Sequence, residues 1–328
     1  MASQTMLNRE LQGASDHEIE GAASLFENLR RTRPNTKQHL RNYVRVFLGI
    51  DVPNQRICAE HNAPLDYLWH SFSADLPRLR ATSDEERSAA NADCIVWANR
   101  TGGKTELAAL ATLLDCIFKP DCHVRILGGS GDQACRMYEY LTAFLRRDFN
   151  RFLAEPIRKR KCRFTNGSAV EVLTQSATSV RGQHVQKLRC DEVELFDEDV
   201  FAAAKFTTHS TANAVAAMEL ISTMHRPYGL MQQVVSTAPQ FGTPIFKWCI
   251  WEVVEKCAAR NCSACPLWTD CGGKAKRAVG YLKIDDCITQ MRRASRAGWE
   301  AEMLCKRPSL DNAVFDEFDP AVHVKPVD

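Results

Sequence analysis

Short apolar runs alternate with longer amphipathic stretches through the middle of the chain, and this alternation predicts the fold. The apolar runs typical of buried strands are CIVWAN (94–99), VRILGG (124–129), VQKLRC (185–190) and AAMELI (216–221). Helical patterns lie between them, notably ELAALATLLDCIF (106–118) and DQACRMYEYLTAFLRR (132–147). Strands that alternate with helices predict an α/β protein with a mostly parallel sheet between helices.

Two segments depart from this alternation. CRFTNGSAVEVL (162–173) predicts a hairpin, because its Asn-Gly pair favours a tight turn. Before residue 94 the pattern is helical: HEIEGAASLFENLRR (17–31), HLRNYVRVFLGI (39–50) and LDYLWHSFSADLPRL (65–79). We therefore expect a helical N-terminal region in front of the sheet.

The first predicted strand runs into ANRTGGKT (98–105), which has the spacing of a Walker A loop with alanine in place of the usual first glycine. Glycines let backbone N–H groups approach phosphate oxygens, and the following helix points its positive dipole end at them. Lys104 is expected to reach the β- and γ-phosphates of ATP, and the Thr105 hydroxyl to bind Mg²⁺. The predicted nucleotide-binding residues here are Ala98, Gly102, Gly103, Lys104 and Thr105.

A later apolar strand ends in the acidic pair Asp191-Glu192. We expect Asp191 to hold Mg²⁺ through water and Glu192 to polarise the attacking water. The alternative is a solvated acidic helix start, since more acidic residues follow closely. Lys104 and Arg100 in the loop, and Arg181 ahead of the acidic strand, are candidates to stabilise charge on the γ-phosphate. For Arg181 the competing interpretation is an ordinary surface arginine.

Together these segments resemble the large subunit of tailed-phage terminases, the motor that pumps viral DNA into a procapsid. The resemblance rests on Arg100 within the loop, TNGS (165–168), VRG (180–182) and ISTMHRPYG (221–229), which is similar to that family's coupling motif. It covers about residues 58–320. It implies a P-loop NTPase of the additional-strand, catalytic-glutamate (ASCE) type.

The resemblance also implies roles and partners. Ser222 and Thr223 would sense the γ-phosphate and relay hydrolysis to DNA movement, with Ser236-Thr237 as a competing pair. The expected partners are double-stranded DNA, the portal protein, the terminase small subunit and further copies of the chain in a ring. The expected location is the cytoplasm of the bacterial host.

Motif placement divides the chain into four regions: a helical region (1–57), a P-loop ATPase domain (58–248), a four-cysteine metal-binding appendage (249–290) and a linker (291–328). In the resembled family such a linker leads into an RNase H-like nuclease. The tail carries an acidic cluster, Asp316, Glu317 and Asp319. We expect a solvated linker there, and no nuclease activity from this chain alone.

Composition narrows the possibilities further. The chain of 328 residues is 45% hydrophobic, which is ample for a packed core. It has no apolar run long enough to span a membrane and no secretory signal. Lys plus Arg is 42 against 40 Asp plus Glu, so any nucleic-acid contact must be local.

Fourteen cysteines are unusual without a secretory signal. Four of them, Cys257, Cys262, Cys265 and Cys271, lie within fifteen residues and satisfy the ligand count of a structural zinc site. A 4Fe-4S cluster and unligated thiols are the alternatives. The others are expected to be small core residues: Cys58, Cys94, Cys116, Cys122, Cys135, Cys162, Cys190, Cys249, Cys287 and Cys305.

DNA contacts and the nucleobase site are less defined. The densest basic run, 158–161 with Arg163, favours either phosphate contacts or a solvated face. A weaker basic set is Arg30, Arg31, Arg33 and Lys37, and the nucleobase is expected near Pro64, Tyr67 and Trp69. Rival functions are a helicase-like DNA-dependent ATPase and a non-hydrolysing nucleotide- or DNA-binding protein.

Overall fold

The computed structural model describes residues 16–76, 92–173, 176–182 and 184–308. Its strands are β1 (Cys94–Ala98), β2 (His123–Gly128), β3 (Lys161–Arg163), β4 (Ala169–Val172), β5 (Lys187–Asp191), β6 (Ala217–Ser222) and β7 (Ile245–Trp248). Its α-helices are α1 (Asp16–Arg31), α2 (Lys37–Leu48), α3 (Pro64–Ser73), α4 (Lys104–Phe118), α5 (Gly131–Phe144), α6 (Ala177–Arg181), α7 (Glu198–Ala204), α8 (Leu230–Thr237), α9 (Ile250–Val253), α10 (Trp268–Cys271), α11 (Ile284–Arg293) and α12 (Arg296–Glu302). Among these residues, no helix is long and apolar enough to cross a membrane.

The described strands form one seven-stranded sheet in the order β3-β4-β2-β5-β6-β1-β7. Every pairing is parallel except β3 with β4, which form the predicted antiparallel hairpin. The additional strand β6 lies between β1 and β5, as an ASCE-type sheet requires, so the α/β prediction is confirmed. Sequence reasoning missed β7, because its four residues, IFKW, include a lysine and only Trp248 among them is buried.

The sheet lies between two apolar layers, as the alternation of β1 side chains makes clear. Val96 belongs to a core that contains residues of α2, α3, α4 and α5. Its neighbours Ile95 and Trp97 belong to a second core, built with residues of β7 and the helices after it. Because β1 is buried on both faces, all five of its residues can be apolar. This explains the continuous run seen in the sequence.

The turn of the hairpin caps the C-terminal end of α4, the helix that follows the Walker A-like loop. Asn166 donates from its side-chain amide to the Cys116 carbonyl of α4 at 2.9 Å. Ser168 donates to the Lys119 carbonyl at 2.8 Å and accepts from the Cys122 N–H at 3.1 Å. Side chains that satisfy the last carbonyls of a helix stabilise its C-terminal end. The TNGS motif therefore has a structural role in fixing α4.

A group of fully buried charges lies between the sheet and the helices in front of it. Arg189 of β5 donates to Asp115 of α4 at 2.6 Å and to Glu219 of β6 at 3.2 Å. Lys119 is 2.6 Å from Asp115, and the Tyr67 hydroxyl donates to Glu219 at 2.7 Å. We call Arg189, Asp115, Glu219 and Lys119 the buried charge cluster. It joins α4, β5 and β6, and Tyr67 links it to α3.

This cluster makes the stability of the protein depend on pH. Burial alone would raise the pKa of Asp115, but Lys119 and Arg189 outweigh it and lower that pKa; Arg189 and Lys187 lower the pKa of Glu219 in the same way. A lowered folded-state pKa contributes stability above the unfolded values, 3.8 and 4.5, and that stability is lost as the pH falls below them. We expect the free energy of unfolding, measured by urea titration, to drop steeply below about pH 4.5. In Glu219→Gln the drop should be shallower, and an equal drop would contradict the assignment.

Candidate active site

The phosphate loop is held in a conformation that only some residues tolerate. Gly103 has φ 77° and Thr101 has φ 61°, while Ala98, the departure from the Walker A pattern, is not among the residues with positive φ. Alanine therefore fits that position without backbone strain. The loop is also fastened from outside, because the Trp248 indole N–H donates to the Gly102 carbonyl at 2.9 Å and the Tyr281 hydroxyl donates to the Thr101 carbonyl at 3.3 Å.

Gly102 has no room for a side chain. A Cβ there would lie 2.9 Å from the Asn99 carbonyl oxygen and closer still to its side chain. Since such overpacking costs about 1–3 kcal/mol, we expect Gly102→Ala to weaken ATP binding by about tenfold or more. Equilibrium titration with a fluorescent ATP analogue measures this. The control is Gly131→Ala, where a Cβ meets only an arginine tip at 3.9 Å; equal losses in both variants would contradict the prediction.

The residues that follow β1 and β5 meet at one edge of the sheet. The Lys104 ammonium is 3.2 Å from a carboxylate oxygen of Glu192. The Thr105 hydroxyl donates to the Asp191 carboxylate at 2.9 Å. Because the carboxyl ends of parallel strands share an edge, the loop after β1 and the acidic pair at the end of β5 are neighbours in space. The predicted lysine, hydroxyl and carboxylates therefore form one constellation.

Asp191 suits a divalent cation. Its Oδ1 atom is buried and has no hydrogen-bond partner among the described residues, while Oδ2 accepts from Thr105. Burial raises the pKa of Asp191 to about 7, although the positive charge of Lys104 opposes the shift. A bound cation would favour the ionised form of the Asp191 carboxylate and would give its unpartnered Oδ1 atom a ligand role. A hydroxyl beside a carboxylate is the donor chemistry that Mg²⁺ prefers.

Glu192 sits at a strained backbone position, with φ 54° and ψ 50°. A non-glycine residue in this left-handed region costs about 1–2 kcal/mol, and such strain concentrates at functional sites. Its carboxylate accepts from the Ser222 hydroxyl at the end of β6 at 3.4 Å. The competing pair, Ser236 and Thr237, is exposed at the end of α8. Of the two pairs, the structure brings Ser222 to the acidic residues.

A scan against protein-family models and a search of curated proteins find no match. Solved structures do match. The large terminase of the HK97 bacteriophage is 15% identical, with a TM-score of 0.52 over 78% of this chain and 54% of that chain. The large terminase of a thermophilic bacteriophage, solved in complex with ADP, is 13% identical, with a TM-score of 0.51 over 78% of this chain and 57% of that chain.

This chain has a phage large-terminase fold. Together with the β6 position, this agrees with the fold that the motifs implied. The chain spans less than two thirds of the length of these terminases. The tail cluster Asp316, Glu317 and Asp319 lies outside the described residues.

Sequence reasoning missed a second line of contacts, which runs from the end of β6 to the loop after β1. The Thr223 hydroxyl is 3.0 Å from His225 Nδ1, which is 3.9 Å from the Glu302 carboxylate. Glu302 is also 3.9 Å from Arg100 Nε, and its carbonyl accepts from the Arg100 backbone N–H at 2.8 Å. These contacts join the end of β6 to the phosphate loop through α12. No motif surrounds Glu302, so only the fold could reveal it.

Some predicted residues lie elsewhere. Arg181 is exposed at the end of α6 and makes no ion pair with the described residues. Tyr67, in the region where the nucleobase is expected, is fully buried against Glu219 and does not face a cavity beside the loop. A cavity beside the loop is lined instead by Val52, Pro53, Pro64, Gly103 and Tyr281, among others. Pro64 is thus the part of the predicted nucleobase region that faces the loop.

Some of the predicted DNA-contacting basic residues are buried or paired within the fold, and others are exposed. Arg30 is buried over Phe26, and Arg33 forms a bidentate pair with buried Asp75, so both serve the fold rather than a DNA surface. In the exposed run after α5, Lys159 and Arg160 form no ion pair with the described residues. DNA contact through this run stays a prediction.

The four bunched cysteines line one small cavity together with Trp251. All four are half-buried, and the Ala275 backbone N–H donates to Cys271 Sγ at 3.5 Å. Outer hydrogen bonds of this kind support metal ligands. Metal binding here stays a prediction, with zinc and 4Fe-4S both open. Among the described residues, the group whose ligand atoms lie within 4.8 Å of one another is a different one: Cys58, His61, Cys249 and Glu252.

Proposed function

We propose that this chain is the ATPase motor of a terminase large subunit, which hydrolyses ATP to translocate viral double-stranded DNA. The observation that carries the proposal is the constellation of Lys104, Thr105, Asp191 and Glu192 at one edge of an ASCE-ordered sheet. The similarity to phage large terminases supports the DNA-packaging class.

The phosphate loop would bind ATP through its backbone N–H groups and Lys104. Mg²⁺ would be held by Thr105 and Asp191, and when bound it would neutralise charge on the phosphates. The base would occupy the cavity beside Gly103, where Tyr281 offers an aromatic face. The ADP complex of the terminase from the thermophilic phage favours the same ligand class here.

In the hydrolytic step, Glu192 would accept a proton from the attacking water while the water oxygen bonds to the γ-phosphorus. The bond from that phosphorus to the β–γ bridging oxygen breaks, which leaves ADP and inorganic phosphate. Lys104 and Arg100 would stabilise the charge that develops. The Lys104–Glu192 pair would have to separate first, because both groups have other partners in the reacting state.

Ser222 and Thr223 would report the state of the phosphate. Ser222 contacts Glu192, and Thr223 leads through His225 and Glu302 to Arg100. We infer that release of phosphate shifts these contacts and thereby α12, which is how hydrolysis would couple to DNA movement. Arg181 would contribute only after a movement or from a neighbouring copy in a ring.

The remaining parts of the proposal rest on the terminase resemblance: a portal protein, a small subunit, a homo-oligomeric ring, and the cytoplasm of a bacterial host. The four-cysteine cavity would hold a structural metal that fastens the segment between β7 and α11. We retain the four predicted regions, 1–57, 58–248, 249–290 and 291–328, as part of the proposal.

DNA dependence of ATP turnover separates this function from its rivals. We expect phosphate release to be stimulated more by linear double-stranded DNA than by single-stranded DNA, without strand separation. Greater stimulation by single strands, with unwinding of a labelled duplex, would favour a helicase-like ATPase. ATP binding without any turnover would favour the non-hydrolysing alternative.

A further inference from the structure

Four side chains that can ligate a metal come together next to the end of β7, although they belong to two segments that are far apart in the sequence. Cys58 and His61 lie just ahead of α3, while Cys249 and Glu252 lie at the start of α9. Their ligand atoms all lie within 4.8 Å of one another, and the group is largely buried. We call these four residues the thiol–imidazole cluster.

We propose that the thiol–imidazole cluster is a structural zinc site, separate from the four bunched cysteines. Two thiols, one imidazole and one carboxylate make a four-ligand donor set of the kind that Zn²⁺ accepts. Each pair also follows a ligand spacing of three residues: Cys58 with His61, and Cys249 with Glu252. Such a closed set leaves no open position for water, as in structural rather than catalytic zinc sites.

The distances agree with a tetrahedral centre. The sulfurs of Cys58 and Cys249 are 3.8 Å apart. A tetrahedron with zinc–sulfur bonds of about 2.3 Å has an edge of about 3.8 Å. His61 Nδ1 and Glu252 Oε2 are 2.9 Å apart, slightly less than the nitrogen–oxygen edge of about 3.3 Å for such a site. The two sulfurs are much farther apart than the bond length of a disulfide, about 2.05 Å.

The backbone holds the carboxylate in place for this role. Glu252 accepts from the backbone N–H groups of Cys58 at 2.7 Å and Cys249 at 2.9 Å. Both donors belong to residues that also supply the sulfurs, so one carboxylate aligns both halves of the cluster. Support of this kind fixes the orientation of metal ligands.

The location suggests what the metal does for the protein. Cys249 directly follows Trp248, whose indole fastens the phosphate loop at Gly102. Cys58 lies in the connection between α2 and α3, ahead of the sheet. A metal bridge between Cys58 and Cys249 would tie this connection to β7, the strand whose Trp248 contacts the loop, because it crosslinks residues about 190 positions apart.

Zinc analysis of the full chain tests the proposal directly. After incubation with ZnCl₂ and removal of free metal, the double variant Cys58→Ser/Cys249→Ser should retain one zinc equivalent fewer per chain than the wild type. The control Cys287→Ser, buried in the same apolar core, should lose none. Equal zinc content in the double variant and the wild type would overturn the proposal, whatever the four bunched cysteines hold.

A second measurement uses only the wild-type protein, so its result does not depend on whether a variant folds correctly. Cys58 is half-buried and reachable, so iodoacetamide should alkylate it slowly in the zinc-loaded wild type and at least tenfold faster after a chelator is added. Cys135, also half-buried but outside the cluster, serves as the internal control and should not respond. Equal alkylation of Cys58 with and without chelator would mean a hydrogen-bonded thiol cluster without metal. Neither readout depends on ATP turnover.

Discussion

Glu192→Gln is expected to lower ATP turnover by about 10²–10⁴-fold, the usual contribution of a positioned general base. The amide keeps the size of the side chain but cannot accept the proton of the attacking water. ATP binding should persist, because Lys104 and the loop are unchanged and Lys104 loses its ion-pair partner. Phosphate release gives the turnover, and titration with a fluorescent ATP analogue gives the affinity.

The matched control is Glu198→Gln at the start of α7, a nearby glutamate that is exposed. It should retain full turnover. If Glu192→Gln hydrolysed ATP as fast as this control, the general-base assignment would be wrong. If it lost ATP binding as well, the residue would serve the structure of the site rather than its chemistry.

Arg189→Met is expected to destabilise the protein by about 3–5 kcal/mol. Methionine keeps the aliphatic part of the side chain but lacks the guanidinium, so Glu219 loses its main counter-charge and Asp115 loses one of its two ion-pair partners. Uncompensated buried charge costs far more than a lost surface pair. Urea unfolding, followed by circular dichroism, measures the difference.

Arg163→Met is the matched control. Arg163 also lies in a strand of the sheet, but it is exposed, and its ion pair with Glu155 is long, at 3.6 Å. Exposed pairs contribute about 0–1 kcal/mol, so this variant should remain near wild type. Equal destabilisation of both variants would contradict the importance assigned to the buried charge cluster.

Features that are encoded within one short stretch of the chain could be predicted from the sequence. The Walker A-like spacing and the acidic pair could be recognised because each lies within one short segment of restricted residue types. The parallel sheet followed from apolar runs such as β1, and the hairpin followed from its Asn-Gly turn. The structure then brings Lys104 to Glu192, and Thr105 to Asp191.

What the sequence could not predict depends on contacts between distant segments. Arg189 lies in a predicted strand, but its burial depends on acidic partners from α4 and β6. Glu302 reaches the phosphate loop from a helix without any motif. Cys58 and Cys249 resemble ordinary core thiols until the fold brings them to 3.8 Å. Such pairs are set by tertiary packing, which local patterns do not encode.

The most direct test of the proposed function is phosphate release from Mg²⁺-ATP by the wild-type chain, with linear double-stranded DNA present and absent. Lys104→Ala provides the background, because it removes the cation that we propose binds the phosphates. We expect turnover above that background and stimulation by DNA. Turnover that is no greater than in Lys104→Ala would contradict the claim that this chain is an ATP-hydrolysing motor.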